Sequence, residues 1–386
     1  MKPHHLFFAT TAKGMEALLH EELTKLGAQD ISLQPSGVQF SGPLQIGYQA
    51  CLHSRIANRV LLVLKKIAAR DAEELYSNIK SIPWQEHLTV DHTFAVDFLA
   101  ARTPVRNDSI IHTHFGALKV KDAIVDQFRS KTNQRPSVDA INPDVRINVY
   151  LYQHEAVVSI DLSGESLHKR GYRQAGAEAP LKENLAAGII MTTGFAHKEG
   201  FDFIDPMCGS GTLVIEAAMM ASHVAPGLLR TSFGFLGWLG HEPLLWQRLR
   251  QDAEGMIIKN RKKIARITGY DKSAYAVDIA RANLEKAGLA KLVSLETQEL
   301  AACKPSAPHG ILVANPPYGE RLGDVDRLKP LYQQMGDVMK QKFKGWEGYI
   351  FTGNLTLAKS IGLKASRRHI FYNGPIECRL LKYDLY

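Results

Sequence analysis

Apolar and polar positions alternate along this chain in two rhythms, one near 3.6 residues and one of two. Met15, Leu18, Leu19, Leu23 and Leu26 fall on one face and Gly27 follows, which predicts a half-buried helix over 14–27. A strand is expected at 6–10 (LFFAT), strands across 31–42, and a second helix over 44–64. Together these make a small α+β unit at 1–65. Over 66–165 the pattern gives a helix before Trp84, a strand at 93–98, a basic helix from about 114 to 130, and strands at 145–152 (VRINVYLY) and 155–163 (EAVVSIDLS). Elements in that order predict a second α+β unit on an antiparallel or mixed sheet.

From about residue 180 strands and helices alternate. Helices are expected at 182–195, 212–222, 273–288 and 328–342, and strands at 201–206, 265–271, 291–297, 310–316 and 347–353, with a long insert at 223–264. Such alternation predicts a parallel, doubly wound α/β sheet. The closing segment HIFYNGPIECRLLKYDLY reads as a hairpin turning at Asn373-Gly374. The third unit is therefore set at 166–386, and 386 residues suffice for three such cores.

Composition narrows the class. Hydrophobic residues at 45% and charged residues at 22%, with 30 Gly and 17 Pro, exclude disordered and collagen-like chains. No window approaches the roughly 18 apolar residues of a membrane span, and the N-terminus lacks a signal-like core, so the cytoplasm is the expected compartment. Cys51, Cys208, Cys303 and Cys378 form no C-x-x-C pair, which suggests free thiols and no zinc site. The net charge of +8 is uneven: residues 1–165 carry 17 basic and 18 acidic side chains, and the remainder 30 and 21. A polyanionic partner would be attracted mainly by the C-terminal half.

Three segments carry chemistry. The strand FDFID runs into Pro206-Met207-Cys208-Gly209-Ser210-Gly211-Thr212 and then an apolar helix. Glycines at that junction let backbone approach a nucleoside at the helix N-terminus, although a plain strand-turn-helix junction would look the same. The loop lacks the third glycine of a dinucleotide fingerprint and the Lys-Ser/Thr of a P-loop. The second strand ends at Asp271, about 60 residues after the loop where a dinucleotide site has ~20, and the insert accounts for the difference. Its carboxylate suits two ribose hydroxyls, or equally the cap of the next helix. The fourth strand ends in Asn315-Pro316-Pro317-Tyr318. Two prolines turn the chain out of the sheet there and present a carboxamide, proline-preceding carbonyls and an aromatic ring, a set suited to a planar exocyclic amine.

DPMCGSGT, GYD and NPPYGERLGD in this order resemble class I S-adenosylmethionine-dependent methyltransferases that modify an amino nitrogen. With RNDSI…GALKVKDAIVDQF, VDAINPDVRINVYLY, DLSGESLHKRGYR and GYRQAGAEAPLKENLAAGII, the chain resembles, over nearly its whole length, the K/L-like family of bacterial large-subunit rRNA guanine-N2 methyltransferases. The resemblance implies a ferredoxin-like unit and an RNA-binding THUMP domain ahead of a Rossmann-like catalytic domain. It further implies that Asp205, Cys208, Gly209, Ser210, Gly211 and Thr212 line S-adenosylmethionine, that Asp271 holds its ribose, and that Lys182, Glu183 and Asn184 form an upstream cofactor motif. Asn315, Pro316, Pro317 and Tyr318 would receive the guanine. Where the family often has Asp to meet the adenine amine, this chain has Thr297-Gln298-Glu299, and Glu299 is the expected substitute. Some members continue into a second methyltransferase domain, so a chain of this length is expected to make one methylation. The chemistry calls for neither a metal nor a covalent intermediate.

Seven basic residues, Arg102, Arg106, Lys119, Lys121, Arg129, Lys131 and Arg135, face Asp108, Asp122 and Asp126. They read as a solvated helix face or, through the THUMP resemblance, as a grip on 23S rRNA or an assembling large subunit. A second group, Lys259, Arg261, Lys262, Lys263 and Arg266, follows Phe235, Trp238 and Trp246, rings that either stack on RNA or fill a core. Within enzymes the alternatives are a tRNA guanine-N2 or a nucleic-acid adenine-N6 methyltransferase. Outside them, a non-catalytic RNA-binding assembly factor would keep the basic groups without needing the glycine loop.

Overall fold

The structure is a computed structural model and describes residues 4–101, 113–173, 181–258, 264–319 and 324–386. Its first half is one mixed sheet. The strands are β1 (His5–Thr10), β2 (Gln29–Gln34), β3 (Gly37–Gly42), β4 (Arg59–Ala68), β5 (Thr93–Ala100), β6 (Ser137–Val138), β7 (Val145–Tyr152) and β8 (Glu155–Asp161), ordered β2-β3-β1-β4-β8-β7-β5-β6. The helices are α1 (Glu16–Lys25), α2 (Leu44–His53), α3 (Ala72–Lys80) and α4 (Thr113–Thr132). The expected α+β units at 1–65 and 66–165 thus share a sheet, and β4 pairs with β1 on one side and β8 on the other.

One expected helix, 44–64, breaks in the middle. The chain turns extended at Ser54 (ψ 126°), whose hydroxyl accepts from the Ala57 N–H at 2.9 Å. A serine side chain competing for backbone donors ends α2, and Val60, Val63 and Ile67 then favour the pleated strand β4.

The second half holds α5 (Glu183–Thr193), β9 (Asp202–Asp205), α6 (Thr212–Ala221), α7 (Pro243–Gly255), β10 (Ile267–Asp271), α8 (Ala274–Lys286), β11 (Val293–Thr297), β12 (Gly310–Ala314), α9 (Asp324–Lys342), β13 (Glu347–Thr352), α10 (Leu355–Lys359), β14 (Arg367–Asn373) and β15 (Ile376–Asp384). The sheet order is β11-β10-β9-β12-β13-β15-β14, with β9 to β13 parallel and β15 antiparallel to both neighbours. The final hairpin closes on the Asn373–Ile376 pair, so its turn is Gly374-Pro375, one residue later than expected. The chain leaves β9 towards β10 and β11, then returns to β12 on the other side. That reversal opens a crevice at the carboxyl ends of β9 and β12.

Buried charge joins the halves. Arg170 is fully enclosed; it donates to the Arg55 carbonyl (2.6 Å) and the Leu167 carbonyl (2.7 Å) and pairs with Glu216 on α6 at 3.4 Å. Arg55 donates to the Val224 carbonyl at 2.8 Å, and Glu22 on α1 accepts from the Arg55 N–H at 2.9 Å. Burial raises the Glu22 and Glu216 carboxyls and lowers the Arg55 guanidinium, against the pull of their partners. Among the described residues no helix is long and apolar enough to cross a membrane.

Candidate active site

β9 ends at Asp205, which is buried at the mouth of the crevice and accepts from the Met207 N–H at 3.0 Å. Burial, with the Asp271 charge adding to it, outweighs that hydrogen bond and pushes the Asp205 carboxyl up to about 8. The loop then passes Cys208, whose N–H donates to the Tyr270 carbonyl at 2.7 Å and whose thiol is raised by burial. Gly209 and Gly211 both take positive φ, +52° and +83°, a region costly for residues with a Cβ. A Cβ on Gly209 would meet nothing within 4 Å, so the loop is open on that side; one on Gly211 would press Ala280 at 3.0 Å. Gly211 caps α6, Thr212 begins it, and the Ser210 carbonyl accepts from the Asn283 amide at 3.0 Å.

Asp271 closes the loop from the next strand. Its Oδ2 accepts from the Gly209 N–H at 2.9 Å and its Oδ1 from the Ser273 N–H at 2.9 Å. The cap of α8 is Ser273, which accepts from the Ala276 N–H, so Asp271 is not that cap. Each oxygen keeps a further lone pair. Glu299 is exposed just past the end of β11, where the Gln298 N–H donates to the Asp271 carbonyl at 2.9 Å.

The Asn315–Tyr318 turn leaves β12, which is hydrogen-bonded to β9. The glycine loop and the turn therefore emerge from adjacent strands at one edge. Pro316 is buried and Pro317 exposed. The Tyr318 hydroxyl donates to Asn315 Oδ1 at 2.6 Å, and its ring meets Phe351 edge-on at 6.2 Å. Burial raises that hydroxyl well above its ordinary value. From behind, Tyr332 on α9 donates to the Pro317 carbonyl at 3.1 Å and the Asn354 amide to the Tyr318 carbonyl at 2.9 Å. The Asn373 side chain lies near the Tyr318 hydroxyl and opposes that rise. Sequence reasoning missed Tyr332, Asn354 and Asn373; each is a lone polar residue on a separate element, with no motif to mark it.

Of the upstream trio, Lys182 precedes α5 and is exposed. Glu183 is buried against Arg173 at 2.7 Å, and Arg173 donates to Thr212 Oγ1 at 3.2 Å, linking α5 to the glycine loop. Asn184 instead donates to Asn58 Oδ1 at 2.9 Å in the N-terminal half.

The basic face of α4 is partly neutralised. Lys119 pairs with Glu73 at 3.0 Å, Lys121 with Asp122 at 2.5 Å and Arg129 with Asp126 at 3.6 Å; Lys131 donates to Gln85 at 3.0 Å, and Arg135 is exposed. Phe235, Trp238 and Trp246 are buried, with Phe235 tilted against Tyr48 of α2 and Trp246 edge-on to both. They fill a core and are not a stacking surface for RNA. Arg266 is exposed, whereas Arg102, Arg106, Lys259, Arg261, Lys262 and Lys263, and the Glu320-Arg321-Leu322 continuation of the turn, lie outside the described residues.

Residues 170–382 match the family model for the RMKL-like methyltransferase domain. The chain belongs to the RMKL-like methyltransferase family. Residues 69–161 match the THUMP domain and 6–61 the RlmL ferredoxin-like domain. This RMKL-like chain is 46% identical over 385 residues to ribosomal RNA large subunit methyltransferase K/L of Allochromatium vinosum and 45% identical to that of Syntrophotalea carbinolica. It spans about half the length of these relatives, 52% and 53%, while they match 99% and 98% of it. Among solved structures, SMU.472, a candidate methyltransferase complexed with SAH, aligns over all of the chain with a TM-score of 0.88 and 31% identity, covering 99% of the other chain. A "predicted N6-adenine-specific DNA methylase" from Listeria monocytogenes aligns equally well, covering 97% of that chain. TrmN from Thermus thermophilus, at 18% identity and a TM-score of 0.70 over 99% of this chain and all of its own, shares the fold. The RMKL-like catalytic half is thus a class I methyltransferase sheet carrying an antiparallel β15.

Proposed function

We propose that this chain transfers a methyl group from S-adenosylmethionine to the exocyclic N2 amine of a guanine in 23S rRNA, free or within an assembling large subunit, in the cytoplasm. The observation that carries the reading is the Asn315–Tyr318 turn, braced by Tyr332 and Asn354 beside an open glycine loop on the adjacent strand. The relatives' naming as large-subunit rRNA methyltransferases and the THUMP match support the choice of substrate. The division of labour follows the units 1–65 and 66–165 for RNA capture and 166–386 for catalysis. Lys119, Lys121, Arg129, Lys131 and Arg135 serve the first task.

The donor set fits the cofactor. Open space above Gly209 admits a ligand against backbone, and Asp271 retains acceptor capacity for ribose hydroxyls. Asp205, Cys208, Gly209, Ser210, Gly211, Thr212 and Asp271 would hold it. Glu299 would meet the adenine side, and of the upstream trio Glu183 reaches the glycine loop through Arg173, whereas Lys182 is exposed and Asn184 is engaged by Asn58. When bound, the cofactor supplies an electrophilic methyl group. The chain's own task is to orient the amine. Guanine N2 is a weak nucleophile because its lone pair is delocalised; Asn315 Oδ1 and a proline-preceding carbonyl accepting its two N–H bonds localise that pair. Pro316 and Pro317 contribute no competing N–H, and the Tyr332 hydroxyl fixes the turn before reaction. Preorganised acceptors and positioning are the main rate terms, and the proton leaves to water.

The naming of the Listeria protein favours adenine N6 as the second reading, since the donor and acceptor set of the turn suits that exocyclic amine as well. The test is transfer of labelled methyl to an unmodified 23S transcript, followed by mass analysis of the nucleosides. N2-methylguanosine is the expected product. N6-methyladenosine would establish the second reading, and no transfer despite cofactor binding would remove the substrate assignment.

A further inference from the structure

Where the two halves meet, a cleft of about 330 Å³ is lined by residues of both. Lys13 and Asn58 come from the first half; Lys182, Tyr372 and Asn373 come from the second. Its size is at the low end of small-ligand pockets, about 300–1,000 Å³. Two of its walls lead directly to the candidate active site. Asn373 lies near the Tyr318 hydroxyl and opposes the rise that burial imposes on it. Lys182 precedes Glu183, which reaches Thr212 of the glycine loop through Arg173. The cleft therefore adjoins elements that support the turn and the glycine loop, and part of its wall comes from a different unit.

Its chemistry is that of a nucleotide site. Among the described residues two lysines line it and no acidic side chain does. Glu16, three residues after Lys13, turns back to the Gly14 N–H at 2.7 Å, and Glu377 is held by Arg379 at 2.6 Å and by the Tyr372 hydroxyl at 3.1 Å. Lys13 Nζ stands 4.6 Å from the centre of the Tyr372 ring, which places a cation beside an aromatic face. A base that reaches the Asn315–Tyr318 turn must leave its stack, and the strand on either side of it must cross the rim of the site. We propose that this cleft seats the nucleotide adjoining the target guanine, with Lys13 and Lys182 on its phosphate and Tyr372 stacking its base. The inference rests on the reading of the turn as the guanine site.

The test uses the full chain, S-adenosylmethionine and an unmodified 23S transcript, with the variants Lys13→Glu, Lys13→Arg and Tyr372→Ala. Lys13→Glu should raise KM for RNA about tenfold and lower the salt slope of binding by about 0.7, the share of one single-strand phosphate contact. The single-turnover rate at saturating RNA should stay within about twofold, and Lys13→Arg should behave as the parent. Tyr372→Ala should raise KM without changing the slope, because stacking releases no counterions. Calorimetry should show S-adenosylmethionine binding unchanged in all three. Unaltered KM and slope in Lys13→Glu, with methyl transfer intact, would overturn the cleft assignment alone. Weakened cofactor binding with RNA binding preserved would hand the cleft to the cofactor. Absence of transfer by the parent protein would remove the functional reading and this inference with it.

Discussion

Asn315 and Tyr318 constrain one another before any base arrives, because the tyrosine hydroxyl occupies one lone pair of the carboxamide oxygen. Asn315→Ala removes the acceptor itself, and the single-turnover methylation rate should fall by about 10²-fold or more while cofactor and RNA affinities change little. Tyr318→Phe keeps the ring against Phe351 but frees that oxygen to turn; a loss confined to the rate, smaller than that of Asn315→Ala, is expected. Near-parental transfer by Asn315→Ala would leave the turn purely structural. Asp205 makes a different prediction, through pH. Its carboxyl is raised from 3.8 to about 8, so between those values the folded chain holds a proton that the unfolded chain has released. Stability from this group is therefore present at low pH and lost as pH rises towards 8, by about 1.4 kcal/mol per unit across the window. Asp205→Asn should flatten that part of the profile and gain on the parent most at pH 8, as read from urea midpoints at pH 5, 6.5 and 8. An identical pH dependence in the two proteins would show the carboxyl to be ionised throughout.

Elements were legible where one period ran undisturbed. The catalytic strands announced themselves because GILVA is buried on both faces and reads as an unbroken apolar run. The helix starting at Thr212 followed from the glycines before it. The error over 44–64 has a physical source: apolar residues 60–64 continue the helical face of α2 in composition, and the break is made by the Ser54 hydroxyl on the Ala57 N–H together with Glu22, distant in sequence, on the N–H groups of Arg55 and Ile56. At the site, local motifs revealed the residues that touch one another within a loop, such as Gly209, Gly211 and the Asn315–Tyr318 turn. The braces were hidden because they arrive from α9, α10 and β14 and depend on sheet order. The aromatic insert misled for a related reason. Trp246 has no partner in sequence, and its neighbour Tyr48 belongs to the other half of the chain.

At the scale of the molecule, the enclosed charges around Arg170 hold the N-terminal half against α6, the helix that opens with the glycine loop. Removing one member of a buried pair strands the other, at a cost of about 3–5 kcal/mol. Arg170→Ala should lower stability by that amount in urea unfolding, whereas Arg170→Met combined with Glu216→Leu should recover much of it. A loss below about 1 kcal/mol in Arg170→Ala would mean that Arg170, through its bond to the Arg55 carbonyl, does not tie the halves together. Strand β4 has a further consequence. Residues 59–68 lie across the gap between the ferredoxin-like match, which stops at 61, and the THUMP match, which starts at 69, and the strand is paired on both edges. Recombination at that seam would sever a ladder shared by two units and expose two sheet edges at once. The pair can therefore be inherited, duplicated or grafted onto another catalytic body only as a single cassette.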